Sequence, residues 1–550
     1  MRLLRKIWNT FTAKPEVWFF YAFLATFSLS IRKVIFFYPI LGQFNEYSGI
    51  YLYLSDIFLI LVLLSWIISI LYNNNYILSI IRGLNVPRGT ILLPTLLVFW
   101  SFISIFWSLN PVVAFFKSLK LLEFYLLYLL MIIKIVPRET ILKNSFKIII
   151  ATGTIQAIIG IWQFLIQSSI GFFWLKESLI SSEIPGVAKL IIDNERIIRA
   201  YGLFPHPNIL GGFLLLSIII TLTYEKMFHV EQSAPESSLK CSTWNNSQCE
   251  SYTIAKNVPR ETFRLYWQSI ANSEYLFKAL LIIQIIALLL TFSKSAIIGL
   301  ILAIAYPNLK ILASDLSKKL FHVEHLATPG SIKCSTWNNS QCESYTIAKN
   351  VPRGTFNPKK WFLMICVIIA SAYLINPDFN SLLFKSLDER ALYLDVSRGT
   401  ILDNPLIGLG AGQFVINMQN YTNQTLFEWQ FQPVHNVFLL IWSELGLIGL
   451  LLFILFIRKL FHVEQSRRKE TVECSTWNNS QCASYKIATN VPRGTFPDQK
   501  ESKIAIQGVL IGFMFIMFFD HYPWDIQQGQ IIFWLILGLS VSLSSENIDK

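Results

Sequence analysis

Runs of apolar residues recur along nearly the whole chain, separated by polar stretches of very different lengths. A helix rises about 1.5 Å per residue, so crossing a bilayer takes roughly 17 to 25 apolar residues. Segments of this kind lie near 17–37, 54–72, 91–108, 112–133, 147–167, 208–224, 276–292, 295–307, 361–375, 435–457, 503–519 and 527–543. The two runs flanking Thr291-Phe292-Ser293-Lys294-Ser295 are together long enough for two helices. The pattern predicts an all-α polytopic integral membrane protein, 1–550 forming a single membrane domain, with about 12 transmembrane helices. One large outer loop, 376–434, is expected between helices 9 and 10, and a second, 168–207, before helix 6.

Composition agrees with that picture. Of 550 residues 53% are hydrophobic and only 15% charged, where a soluble chain carries about 25% charged residues. The net charge of +12 does not indicate nucleic acid, because no basic stripe stands clear of the apolar runs. Lys and Arg instead alternate by loop, as positive cytoplasmic loops require. Arg2, Arg5, Lys6 and Lys14 precede the first run, Arg82 and Arg88 follow the second, and Lys134, Arg138 and Lys143 follow the fourth. Lys240, Lys256, Lys318, Lys319, Lys359, Arg467 and Arg468 fall on the same side. Both termini are therefore expected in the cytoplasm, and the basic N-terminus reads as a retained end. Arg196, Arg199, Arg390 and Arg398 sit on the opposite side, against this rule. Positive charge kept outside needs a reason, and binding an anion supplies one.

Three segments repeat one another: Met227–Phe263, Leu320–Phe356 and Leu460–Phe496. Each runs FHVE, CSTWNNSQC, then NVPRGTF or NVPRETF, with shorter traces at Val86–Thr90 and Val136–Thr140. They are too few and too far apart to stack as a solenoid. The palindromic DNA string GTTCCACGTGGAAC accounts for them better. It encodes VPRG, FHVE and, with one flanking base on each side, CSTWN in its three frames. The neighbouring residues comply: Met227, Leu320 and Leu460 precede FHVE, while Gln232, His325 and Gln465 follow it. We read 226–263, 317–357 and 459–497 as cytoplasmic insertions of a mobile element, a hypothesis that unrelated codons beneath the motifs would end. Cys241, Cys249, Cys334, Cys342, Cys474 and Cys482 lie in these repeats. Their C-x7-C spacing is not that of a zinc ribbon, so no metal site is expected there.

Outside the repeats the histidines are His206, His435 and His521, each at the outer end of a run. His435 stands where the chain re-enters the membrane after the large loop. Imidazole titrates near neutrality and can take a proton from a hydroxyl, and a helix N-terminus favours its neutral form. Arg390 and Arg199 offer forked donors suited to phosphate oxygens. Gly408-Leu409-Gly410-Ala411-Gly412 lacks the strand and βαβ context of a nucleotide loop; with Pro405 it reads as a turn. Gly211 and Gly212 permit close helix approach. No cofactor is indicated.

Ordered motifs across these segments resemble the O-antigen ligase and O-antigen polymerase superfamily (Wzy and WaaL type). They are Arg199-Ala-Tyr-Gly-Leu-Phe-Pro-His-Pro-Asn208, Thr291-Phe-Ser-Lys-Ser295, Arg390 through Gly412, and His435-Asn436 leading into Glu444-Leu-Gly-Leu-Ile-Gly449. The resemblance implies a multi-pass protein of the bacterial inner membrane. It implies metal-independent glycosyl transfer on the outer face, from an undecaprenyl-diphosphate-linked glycan to a lipid or glycan acceptor. His435 and Arg390 would be catalytic, and Arg199, Lys294, Asn208 and Asn436 substrate-binding. Ser293-Lys294 replaces the family's serine–arginine pair, so the fork of donors is lost there while the charge is kept. The competing reading is a non-enzymatic transporter or flippase of a lipid-linked sugar, which predicts related halves and charges near mid-span. No paired halves are visible, and Lys117, Lys120 and Glu123 cluster in one run.

Overall fold

A computed structural model of the chain describes residues 14–72, 88–135, 139–184, 186–192, 195–233, 260–321, 379–462 and 499–542. Apolar sequence becomes helix almost throughout, because in lipid a segment must satisfy its own backbone hydrogen bonds. The main helices are α1 (Pro15–Thr26), α2 (Leu54–Leu71), α3 (Arg88–Ile103), α4 (Pro111–Leu130), α5 (Glu139–Ile166) and α6 (Pro207–Ser233). They continue with α7 (Arg260–Leu290), α8 (Lys294–Phe321), α9 (Phe379–Asp403), α10 (Val437–His462), α11 (Gln499–Met517) and α12 (Gln527–Ser542). Among the described residues five stretches, in α2, α3, α5, α6 and α10, are long and apolar enough to cross a membrane. Shorter apolar stretches lie in α7, α8, α11 and α12. The run at 361–375 and most of the repeat segments 226–263, 317–357 and 459–497 lie outside the described residues.

Two expectations are corrected. The run 17–37 is not one span: α1 stops at Thr26, and Arg32–Phe37 forms strand β1, paired antiparallel with β2 (Gly49–Tyr53). Val34, Ile35, Phe36 and Phe37 are β-branched or aromatic and favour a strand, and Gly42 at φ 78° lets the chain turn back. A second hairpin, β3 (Lys189–Ile192) with β4 (Glu195–Ile198), stands in the 168–207 connection, so the fold is mainly helical rather than all-α. Within 376–434 the described residues include the 25-residue helix α9. By contrast the chain does break between α7 and α8, where Phe292 takes φ 48°.

α10 is interrupted. Gly446 has φ 68° and ψ −173°, which opens the helical ladder inside the apolar run. The segment after α9 fills the gap: Leu409 and Gly410 N–H donate to Ser443 and Glu444 carbonyls at 2.9 and 2.8 Å, and Leu447 N–H donates to Pro405 O at 2.9 Å. Trp442 Nε1 also donates to Pro405 O (3.0 Å), and Trp100 Nε1 to Leu445 O (2.8 Å). A helix can break at membrane depth only where protein supplies such partners. Two stretches singled out in the sequence, 404–408 and 444–449, are thus two halves of one interlock.

Small residues set the closest helix approach. Gly508 and Gly512 of α11 face Gly299 and Ala303 of α8 so tightly that a Cβ on Gly512 would meet the Gly299 backbone, the small-xxx-small logic of membrane packing. Some buried charges of the bundle form ion pairs. Lys120 bridges Asp56 (2.5 Å) and Glu123 (2.8 Å), and Lys134 meets Glu16 at 2.8 Å.

Candidate functional site

Chain ends of the helices assemble the site. Arg199 follows β4 directly, and its Nε donates to Thr291 O at the end of α7 (2.6 Å) while an Nη donates to Asn208 Oδ1 (2.6 Å). Asn208 lies in the first turn of α6; its Nδ2 donates to Asp520 Oδ2 (2.6 Å), just past α11. Asn208 is fully engaged in holding Arg199 to Asp520. Arg199, with five N–H donors, keeps three beyond these two bonds. Burial pushes its guanidinium down to about 10, so the group is cationic at neutral pH.

α9 contributes Arg390 and, one turn on, Tyr393, so both project from the same face. The buried Tyr393 ring lies nearly parallel to the His435 imidazole, 5.5 Å between centroids at 11°. Arg390 is near enough to His435 and Lys294 to lower the proton affinity of His435. Lys294, exposed at the start of α8, completes the basic group. His435 Nδ1 is buried without a hydrogen-bond partner among the described residues. Its pKa is held well below 6.5, first by burial and then by His521, so the ring is neutral at neutral pH.

A second imidazole stands edge-on to the first: His435 and His521 are 5.0 Å apart at 83°. His521 Nδ1 is 2.9 Å from Asp525, and the His521 backbone N–H donates to Asp520 Oδ1 (2.9 Å). Burial alone would lower the His521 pKa; Asp525, then Asp520, outweigh it and raise it. Tyr47, from the β1–β2 connection's end, packs its ring 5.6 Å from His521. His206 is driven down to about 3 by burial and Arg199, and its Nδ1 accepts Asn208 N–H (3.2 Å).

Of the residues expected from sequence, Arg199, Asn208, Lys294, Arg390 and His435 come together. Asn436 stands beside them in another capacity: its Oδ1 caps α10 by accepting Leu439 N–H (3.0 Å), and its Nδ2 donates to Phe518 O (3.2 Å). Tyr393, Asp520 and Asp525 were not foreseen. His521 had drawn notice as an outer-face histidine, without a role. Among the described residues no three His, Cys, Asp or Glu side chains converge as a metal site. A neighbouring pocket is lined by Tyr47, Lys117, Glu444, Trp524 and Asp525.

Apolar helices whose ends bring Arg199, Lys294 and Arg390 into one neighbourhood with the neutral His435 imidazole describe a multi-pass membrane protein with a basic cluster at one end of those helices. Residues 353–454, which span α9, the interlock and His435, match the family model described as O-Antigen ligase, so this part of the chain is similar to that family. No curated protein and no solved structure matches it significantly.

Proposed function

We propose that the chain transfers a glycan from undecaprenyl diphosphate to a hydroxyl of a lipid-linked or growing-chain acceptor. The reaction takes place at the outer face of the bacterial inner membrane, in a protein of about twelve spans with both termini cytoplasmic. The acceptor oxygen forms the new bond to the anomeric carbon, and the bond from that carbon to the diphosphate oxygen breaks. The electron pair leaves with the diphosphate, and the hydroxyl proton passes to His435. Arg390, Arg199 and Lys294 hold the diphosphate, whose charge grows as the bond breaks; fixed cationic donors stabilise that growth. Asn208 and Asn436 act one step back from substrate, orienting Arg199 and the start of α10. The scheme calls on no metal or cofactor.

The observation that carries this reading is a chain of neighbours from four separated segments, in which Arg390 acts on both His435 and Lys294, and Lys294 also feels Arg199. The test is transfer by protein reconstituted with a lipid-diphosphate glycan. His435→Ala should lower turnover by about 10²- to 10⁴-fold, the usual contribution of a general base. Arg390→Ala should cost about 10²- to 10³-fold. Full turnover by folded His435→Ala protein rules the base out.

A further inference from the structure

Between Lys33 and Glu46 the chain has no charged residue, and this stretch forms most of β1 and its turn. Val34, Ile35, Phe36 and Phe37 are all exposed, Ile35 at 62% and Phe36 at 45%, followed by Leu41 and Phe44 near the tip. Successive strand residues point to opposite faces, so the hairpin is apolar on both sides. A soluble protein blunts such an edge with charge or covers it, and exposed apolar area of this kind marks a contact surface. A protein partner seated on one face would leave the other bare. A medium that surrounds the hairpin satisfies both.

The setting identifies that medium. β2 runs into α2 with no intervening residue, so the hairpin starts where a span ends. The exposed stripe Ile57, Ile60, Leu64, Ile67 and Leu71 along α2 continues through Leu52 of β2 into the hairpin. Arg32 and Glu46 pair at 3.3 Å at the hairpin's base, with Lys33 exposed beside them. That is the level at which charged side chains meet headgroups. The turn closes its own backbone through reciprocal Ile40–Gln43 bonds of 3.0 Å. The outer strand edges stay unpaired, which suits the hydrated headgroup–acyl boundary and not the hydrocarbon centre.

We infer that the β1–β2 hairpin is a lipid-binding element, lying in the interfacial layer of the leaflet on the site's side of the membrane. The element reaches the site itself. Asn45 Nδ2 donates to Phe431 O at 3.0 Å, and Tyr47 abuts His521. Lipid around the hairpin therefore sets the depth at which the cluster meets the leaflet, whichever sugar is transferred.

Nitroxide labels on Ile35→Cys and, separately, Phe36→Cys test this in the full-length chain with its seven cysteines replaced by serine, held in phospholipid nanodiscs. Collision with oxygen reports lipid, and collision with a soluble nickel chelate reports water. Leu64→Cys on the α2 stripe gives the lipid reference and verifies insertion, while Glu183→Cys gives the aqueous one. Both hairpin labels should show the high oxygen-to-nickel ratio of Leu64. Nickel-dominated collision at either label places the hairpin in water and overturns the inference. Low collision with both agents points to a second copy or another protein over the hairpin and overturns it equally.

Discussion

In the proposed reaction His435 must hold a free lone pair when the acceptor arrives, and burial in its surroundings keeps the ring neutral. Burial, His521 and Arg390 all oppose its protonation, while Asp520 favours it, and the net shift is downward from 6.5. The imidazole loses its lone pair only below that lowered pKa. The acid limb of kcat/KM, which reports free enzyme, should accordingly lie well below pH 6.5, with turnover flat between pH 6 and 7. A bound diphosphate adds negative charge beside the ring and raises its pKa, so the acid limb of kcat should lie higher than that of kcat/KM. Pre-steady-state and steady-state pH profiles check both; coincident limbs would count against a phosphate neighbour. His521 belongs to the same residue-scale logic. His521→Phe keeps a ring against Tyr47 and His435 but strips Asp525 of its partner, so it should cost about 1–3 kcal/mol of stability, read as a lower melting temperature in detergent. Arg199, Arg390 and His435 were legible in the sequence, because arginines on the wrong side of the charge rule and a histidine at a re-entry point each break a pattern. Asp520, Asp525 and Tyr393 break none. Their part depends on which helix ends meet in space, which spacing along the chain does not encode.

Helices and strands carry a different lesson. Apolar content alone cannot distinguish a span from a two-sided strand, so Val34–Phe37 read as the end of the first span when it is half a hairpin. Charge is no better guide at α9, whose Asp395, Arg398 and Asp403 suit a solvated loop or a helix alike, and the segment is helical. The broken α10 was equally hidden, since Gly446 sits in an apolar run that hydropathy carries through, with Ser443 and Glu444 as its interruption. Glycine there is required twice over: φ 68° disfavours any side chain, and a Cβ would run into the Leu406 backbone. Gly446→Ala should destabilise the protein by roughly 1–3 kcal/mol from backbone strain alone, with the clash added. Thermal denaturation of the detergent-solubilised protein measures it, and an unchanged midpoint would show the interlock to be dispensable.

At the scale of the whole molecule, the striping of the chain into apolar runs was enough to anticipate a mainly helical fold with membrane-spanning helices. Each of α6, α7, α8, α10 and α11 has a site residue or its anchor at one terminus: Asn208, Thr291, Lys294, His435 and Asp520 mark those ends. The repeats begin or end at the opposite termini of the same helices, overlapping their last or first turns. A helix of about 25 residues holds the two apart by roughly 38 Å. Replacing residues 463–498 by a short polar linker should therefore leave transfer within about threefold of the parent, since altering loop length costs only about 0.6 kcal/mol per doubling. A deeper loss would assign the repeat a role of its own.

The dovetail between residues 405–410 and the gap at Gly446 also bears on biogenesis. Until both strands of that joint have emerged from the ribosome and met, the carbonyls of Ser443 and Glu444 have no protein donor in the bilayer. A nascent chain ending shortly after α9 would be left with half a joint, and a chain lacking 405–410 with a fractured helix open to lipid. Membrane proteases that survey unfinished proteins should therefore find this one vulnerable until late in synthesis, and resistant in a single step once the joint closes.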